Sequence, residues 1–143
     1  MPRYTATMVL LIPILSAVLI MLALLHVMWG IGFWFPIADE AALTRAVVGF
    51  RGRTKMPGAA ACSLVALALL AAAFSLWWPH GPLRIAMIAV VALVFFARGI
   101  AAYVWRWRWL TPEMPFARLD RWIYGPLCLL MAAGFAAVGF SDF

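Results

Sequence analysis

Four side chains stand out as able to do hydrogen-bond or proton chemistry beside long apolar sequence: His26, Arg98, Asp120 and Tyr124. An arginine grips phosphate or carboxylate through its fork of N–H donors, and histidine or aspartate can move a proton. A tyrosine hydroxyl both donates and accepts. Arg98 lies inside the stretch VALVFFARGIAAYVWRWRW, Val91 to Trp109, where a permanently charged group is out of character. It reads in two ways. A long arginine can snorkel or bond backbone, with an insertion cost of about 2.5–3.5 kcal/mol at a helix centre, or it can face neighbouring helices and meet an anion. No Asp or Glu falls within the apolar runs, so an acidic partner must come from a connection, a lipid or a substrate; Asp120 and Glu113 are the candidates within the chain.

Other chemistries lack support. Cys62 and Cys128 lie inside separate apolar runs and read as small buried residues, too few for a disulfide framework. His26 and His80 fall at opposite ends of the expected helices, so they do not suit one haem, and no metal-ligand spacing is present. Glycine-rich phosphate loops, nucleophile elbows and HExxH are absent from the sequence. No metal and no cofactor is expected.

The elements that must hold these residues follow from composition. The 143 residues are 68% hydrophobic and 11% charged, far from the soluble norm. A bilayer core of about 30 Å asks for about 20 apolar residues per helix. Runs at residues 8–29, 59–78, 83–105 and 124–140 meet that need, so the expected fold is all-α, a single membrane domain over residues 1–143 with a bundle of four transmembrane helices. The first run is longer than a signal-peptide core and is followed by Trp29, Phe33 and Trp34 instead of small residues, so it reads as a retained span.

With four spans, the connections 39–58 and 106–123 share one side, and the termini share the other with the turn PHGP. Arg45, Arg51, Arg53, Lys55, Arg106, Arg108, Arg118 and Arg121 lie in the two longer connections, against Arg3 and Arg84 opposite. Cytoplasmic loops collect Lys and Arg. The expected placement is a bacterial plasma (inner) membrane, multi-pass, with both termini outside. Pro79, Gly81 and Pro82 should force a tight helical hairpin between the second and third spans. Asp39 and Glu40 should start a short helix ending near Gly49, and Thr111, Pro112 and Glu113 should start another. The segment 116–123 is expected along the interface, until Gly125 and Pro126 turn the chain into the last span. Trp29, Trp105, Trp107, Trp109 and Trp122 read as interfacial anchors at the cytoplasmic boundary. WRWRW also fits a nucleic-acid binder, but its place beside a span favours anchoring, and no nucleic-acid partner is expected.

Depth brings the chemical residues together. Arg98, seven residues before Trp105, should sit roughly 10 Å below the inner boundary at the helical rise. His26 lies near the inner end of its span, and Gly30, one turn on, should let a neighbouring helix approach closely. Asp120 and Tyr124 are four apart and can point together if their helix continues. His26, Arg98, Asp120 and Tyr124 are therefore expected to surround one inner-leaflet cavity.

The stretches HVMWGIG (His26 to Gly32), GRTKMPG (Gly52 to Gly58), FFARGIAAY (Phe95 to Tyr103) and TPEMPFARLDRWIYGPLCLLMAAGF (Thr111 to Phe135) resemble a bacterial domain-of-unknown-function family of small four-helix membrane proteins. The resemblance implies integral membrane location and four spans, and supplies no catalytic residues. Two functional expectations follow. The first is a non-enzymatic accessory protein binding anionic lipid headgroups or a membrane-protein partner, itself included. The second is an enzyme or carrier for an anionic lipid-like substrate in the inner-leaflet cavity. A transporter or channel lacks the broken helices or inverted repeats that would signal it.

Overall fold

The computed structural model describes residues 6–141, and all regular structure among them is helical. Helix α1 (Ala6–Gly30) is apolar on all sides and about 37 Å long at 1.5 Å per residue. A connection holds the short α2 (Glu40–Val47) and leads to α3 (Ala59–Ser75); after a turn comes α4 (Pro82–Ala101). The second long connection carries α5 (Trp105–Leu110). Helix α6 (Phe116–Leu119), a π-helical turn at Asp120–Tyr124 and α7 (Gly125–Ser141) then run as one helical stretch of 26 residues.

Three helical stretches are long and apolar enough to cross a membrane: Ala6–Gly30, Pro82–Ala101 and Phe116–Ser141. The fourth expected span is shorter than its apolar run. Helix α3 stops after 17 residues, at Ser75, whose hydroxyl donates to the Ala72 carbonyl. Leu76, Trp77 and Trp78 continue only as i→i+3 turns, the tighter hydrogen bonding common at helix ends. The same happens beyond α4, where Tyr103 and Val104 bond back to Ile100 and Ala101. The run expected to reach Trp105 therefore ends at Ala101, and extended backbone at Val104 resets the direction of α5.

Helix α1 packs chiefly on α3, and α4 on α7; thinner α1–α7 and α3–α4 contacts join the two pairs. The expected α3–α4 hairpin exists, but each arm finds its main partner elsewhere. Ile12, Leu15 and Leu19 of α1 meet Ala72, Ala73, Leu76, Ile88, Met131, Phe135 and Val138 in the core. Small residues set the spacing. A Cβ on Gly134 would stand 2.7 Å from the Leu15 side chain, so α1 seats on α7 at that glycine. At Gly125 it would meet Ala102 Cβ and the Asp120 carbonyl, both at 2.8 Å, which brings α4 and α7 close beside Arg98 and Asp120. Much of the remaining apolar surface faces outward, including Leu10, Leu64, Leu93 and Leu130, as helices surrounded by hydrocarbon require.

Two expected boundaries move. The chain does not redirect at Gly125 and Pro126, and segment 116–123 belongs to the last helix. The proline's missing N–H is absorbed by the π-helical turn before it, in which Gly125 N–H reaches back to the Asp120 carbonyl. Thr111 ends a helix instead of starting one, its hydroxyl donating to the Trp107 carbonyl.

At the opposite end of the bundle Arg84 is buried. It is 1% exposed, with Nη1 hydrogen-bonded to His80 Nε2 at 2.8 Å and Nη2 donating to the Leu76 carbonyl at 3.2 Å.

Candidate functional site

The end of the bundle carrying the two basic connections is closed by a folded cap. Asp39 caps α2 by accepting from Ala42 N–H, as its residue type and position foretold. Glu40 accepts from Met56 N–H at 3.1 Å, drawing the rest of that connection back onto α2. Glu113 ties the two connections together. Its carboxylate accepts from Gly52 N–H at 3.0 Å and its own N–H donates to the Gly49 carbonyl at 3.3 Å. Gly49 sits at φ +71°, against the buried ring of Phe116.

Below this cap Arg98 occupies the last turn of α4, which ends at Ala101. A cation is favoured there by the negative end of the helix dipole. Its Nη2 lies 2.5 Å from Asp120 Oδ1. The other carboxylate oxygen, Oδ2, accepts from Trp107 Nε1 at 2.8 Å, and the guanidinium lies over the Trp107 ring, 5.1 Å from its centroid. Asp120 is 3% exposed and would be costly to bury as a lone anion; the arginine and the indole N–H together resolve that cost. Of the two acids available to Arg98, Asp120 is the partner, and Glu113 is spent on the cap.

A cavity of about 270 Å³ opens between α1, α3 and the cap, lined by His26 and Trp29 of α1, Ala61, Cys62 and Val65 of α3, and Arg98, Trp107, Phe116 and residues of the first connection. Gly30 permits the α1–α3 approach: a Cβ there would stand 3.2 Å from Cys62 Cβ. Most polar lining groups are already satisfied. Trp29 Nε1 donates to the Phe35 carbonyl at 2.8 Å, Trp107 Nε1 to Asp120, and the Cys62 thiol to the Pro57 carbonyl at 3.4 Å.

Two groups are left. His26 Nδ1 is 2.8 Å from the Leu22 carbonyl. A carbonyl only accepts, so Nδ1 carries the proton and Nε2 keeps its lone pair in the neutral ring. Arg98 Nη1 is buried and has no hydrogen-bond partner among the described residues.

Of the four residues singled out at the start, His26 and Arg98 line the cavity directly. Asp120 stands behind Arg98. Tyr124 supports the wall, with its ring centroid 5.8 Å from that of Phe116 and its hydroxyl donating to the Ala46 carbonyl at 3.0 Å. Both oxygens of Asp120 are engaged, which leaves His26 Nε2 as the hydrogen-bond acceptor on the cavity wall. Cys62 and Cys128 are free thiols. No cluster of three or more potential metal ligands occurs among the described residues.

The tryptophans divide. Trp105, Trp109 and Trp122 are exposed, whereas Trp29 and Trp107, grouped with them as anchors, line the cavity and spend their N–H groups inside the protein. Sequence reasoning missed the part played by Trp107, Phe116 and Glu113. A signal for the first was present: on a helix, residues 105 and 109 share one face and 107 takes the other.

Searches of curated proteins and of solved structures return no match. The family model described as "Protein of unknown function (DUF3995)" matches residues 19–135, more than half of the chain, and the chain belongs to that family.

Proposed function

We propose that this chain is a four-span membrane protein that holds the polar head of a membrane lipid in the cavity at its basic end, acting as a binding or accessory protein without catalysis. In this reading α3 is the fourth span. Its helix measures about 26 Å at 1.5 Å per residue, and the turns through Trp78 carry the chain the remaining distance. The excess of Lys and Arg in the two long connections favours a cytoplasmic position for the cap in a bacterial plasma membrane, with the termini outside. Those same residues attract an anionic leaflet by about 1 kcal/mol each near the surface.

The observation that carries the functional reading is that two residues lining an otherwise apolar and self-satisfied cavity, His26 and Arg98, each keep a nitrogen, Nε2 and Nη1, with no hydrogen-bond partner among the described residues. At about 270 Å³ the cavity is at the small end of ligand sites. A headgroup fits that space and its chains would remain in the bilayer.

Native mass spectrometry of the protein purified in mild detergent tests this. Wild type is compared with His26→Leu and with the double variant Arg98→Leu/Asp120→Leu, which removes both charges together and leaves neither one stranded. A defined lipid should accompany the wild type and be lost from both folded variants. The same unselected lipids on all three proteins would overturn the proposal.

A further inference from the structure

We infer that the lipid held in this cavity has an uncharged head bearing a free hydroxyl, a lipid alcohol, and not a phosphate or carboxylate headgroup. The inference rests on the lipid-head reading above and narrows it by charge.

Arg98 is the one cation among the residues lining the cavity, and Asp120 lies against it at 2.5 Å. The charge that a lone arginine would offer an anion is therefore already matched. Asp120 is not free to swing away, because its second oxygen is held by Trp107 Nε1. With a neutral His26, an anionic head entering between His26 and Arg98 would bring a second negative charge beside a buried carboxylate, with no second lining cation to balance it. Burying an unmatched charge is far more costly than burying a hydroxyl that makes its hydrogen bonds.

Two lining residues hold what the wall leaves over among the described residues, one buried donor on Arg98 and one acceptor on His26. Among the described residues Arg98 Nη1–H has nothing to donate to, and His26 Nε2 has a lone pair and no donor. A single hydroxyl answers both, its oxygen accepting from Arg98 and its hydrogen donated to His26. A neutral phosphate-free head also suits the small volume. The eight basic residues of the connections are not part of this wall and do not alter its balance: none of them lines the cavity.

A matched pair of probes isolates the headgroup: dioctanoylglycerol, which ends in a hydroxyl, and dioctanoyl phosphatidic acid, which has the same chains and a phosphate. Binding of each is titrated to the purified protein by native mass spectrometry, for wild type, His26→Leu and Arg98→Lys, with a thermal melt to confirm folding. Arg98→Lys keeps a cation for Asp120 but gathers its N–H donors on one nitrogen, which replaces the two-nitrogen fork that holds Asp120 through Nη2 and leaves Nη1 over. Wild type should bind dioctanoylglycerol at least tenfold more tightly than dioctanoyl phosphatidic acid. Each variant should lose about tenfold for dioctanoylglycerol, the scale of one lost hydrogen bond. Preference for the phosphatidic acid, weakened in the variants, would overturn the uncharged head while leaving the lipid-head site standing. Equal binding of both probes to wild type and variants would overturn both.

Discussion

Replacing Asp120 by alanine is expected to destabilise the protein by about 3 kcal/mol, a large part of what holds a small fold together. The substitution strips the partner from Arg98 and leaves Trp107 Nε1 without an acceptor in one step. Removing one member of a buried pair usually costs about 3–5 kcal/mol because the other charge is left uncompensated. The lower end applies here, since the Arg98 side chain remains 33% exposed and can recover some solvation. The double variant Arg98→Leu/Asp120→Leu should regain most of the loss, because no charge is then stranded. Thermal denaturation of wild type, Arg98→Leu, Asp120→Leu and the double variant, in one detergent, measures the coupling directly. Additive losses in the double variant would show that the pair is not a unit.

The Arg98–Asp120 pairing is partly legible in the sequence. Arg98 is conspicuous because charge is rare in apolar sequence, and the search for its partner reached Asp120 and Glu113 by exclusion. What could not be read was the choice between them, which depends on Glu113 being drawn to Gly52, 61 residues away, and to Gly49 beyond it. Helix ends were misplaced for a related reason. Hydropathy does not distinguish an α-helical residue from one in an i→i+3 turn, so Leu76–Trp78 and Ala102–Val104 were counted into their spans. Gly125–Pro126 carried a strong local signal for a break, and the π-helical turn at Asp120–Tyr124 overrode it. The same turn aims Asp120 at Arg98 and Tyr124 at Ala46, so the detail the sequence concealed is also what separates the tasks of those two side chains.

A second large effect is expected at Gly49, where backbone conformation and packing act together. Its φ of +71° lies in the left-handed region, and a Cβ would fall 2.1 Å from Phe116 Cδ1. Gly49→Ala should cost roughly 1–2 kcal/mol for the backbone and a further 1–3 kcal/mol or so for displacing the ring. The consequence extends beyond stability, since Phe116 lines the cavity and contacts Tyr124. Two further variants separate the causes. Gly49→Asn tolerates the left-handed conformation better but still carries the clashing Cβ, so it should recover only the backbone part. Adding Phe116→Ala to Gly49→Ala should remove the ring contacts and leave the backbone cost with the residual 2.8 Å approach to the Cβ of residue 116. Equal melting temperatures for wild type and Gly49→Ala would show that the cap does not bear on this contact.

The cap, the ion pair and the cavity form one arrangement. Glu113 and Gly49 fix the two connections to each other, Phe116 and Trp107 are held beneath them, and Trp107 steadies the carboxylate that balances Arg98. That leaves the free nitrogen of His26 and the free donor of Arg98 as the polar features a ligand would meet.

Photocrosslinking places a lipid on this surface most directly. Purified protein, in bilayers containing a lipid with a photoreactive group near its head, is irradiated and the labelled peptides are mapped by mass spectrometry. The expected result is labelling concentrated at the cavity wall, on the peptides carrying His26, Ala61, Val65 and Phe116, and its loss in His26→Leu. Labels spread evenly along the outward apolar faces of α1 and α4, unchanged in that variant, would contradict a lipid-head site at the basic end of the bundle.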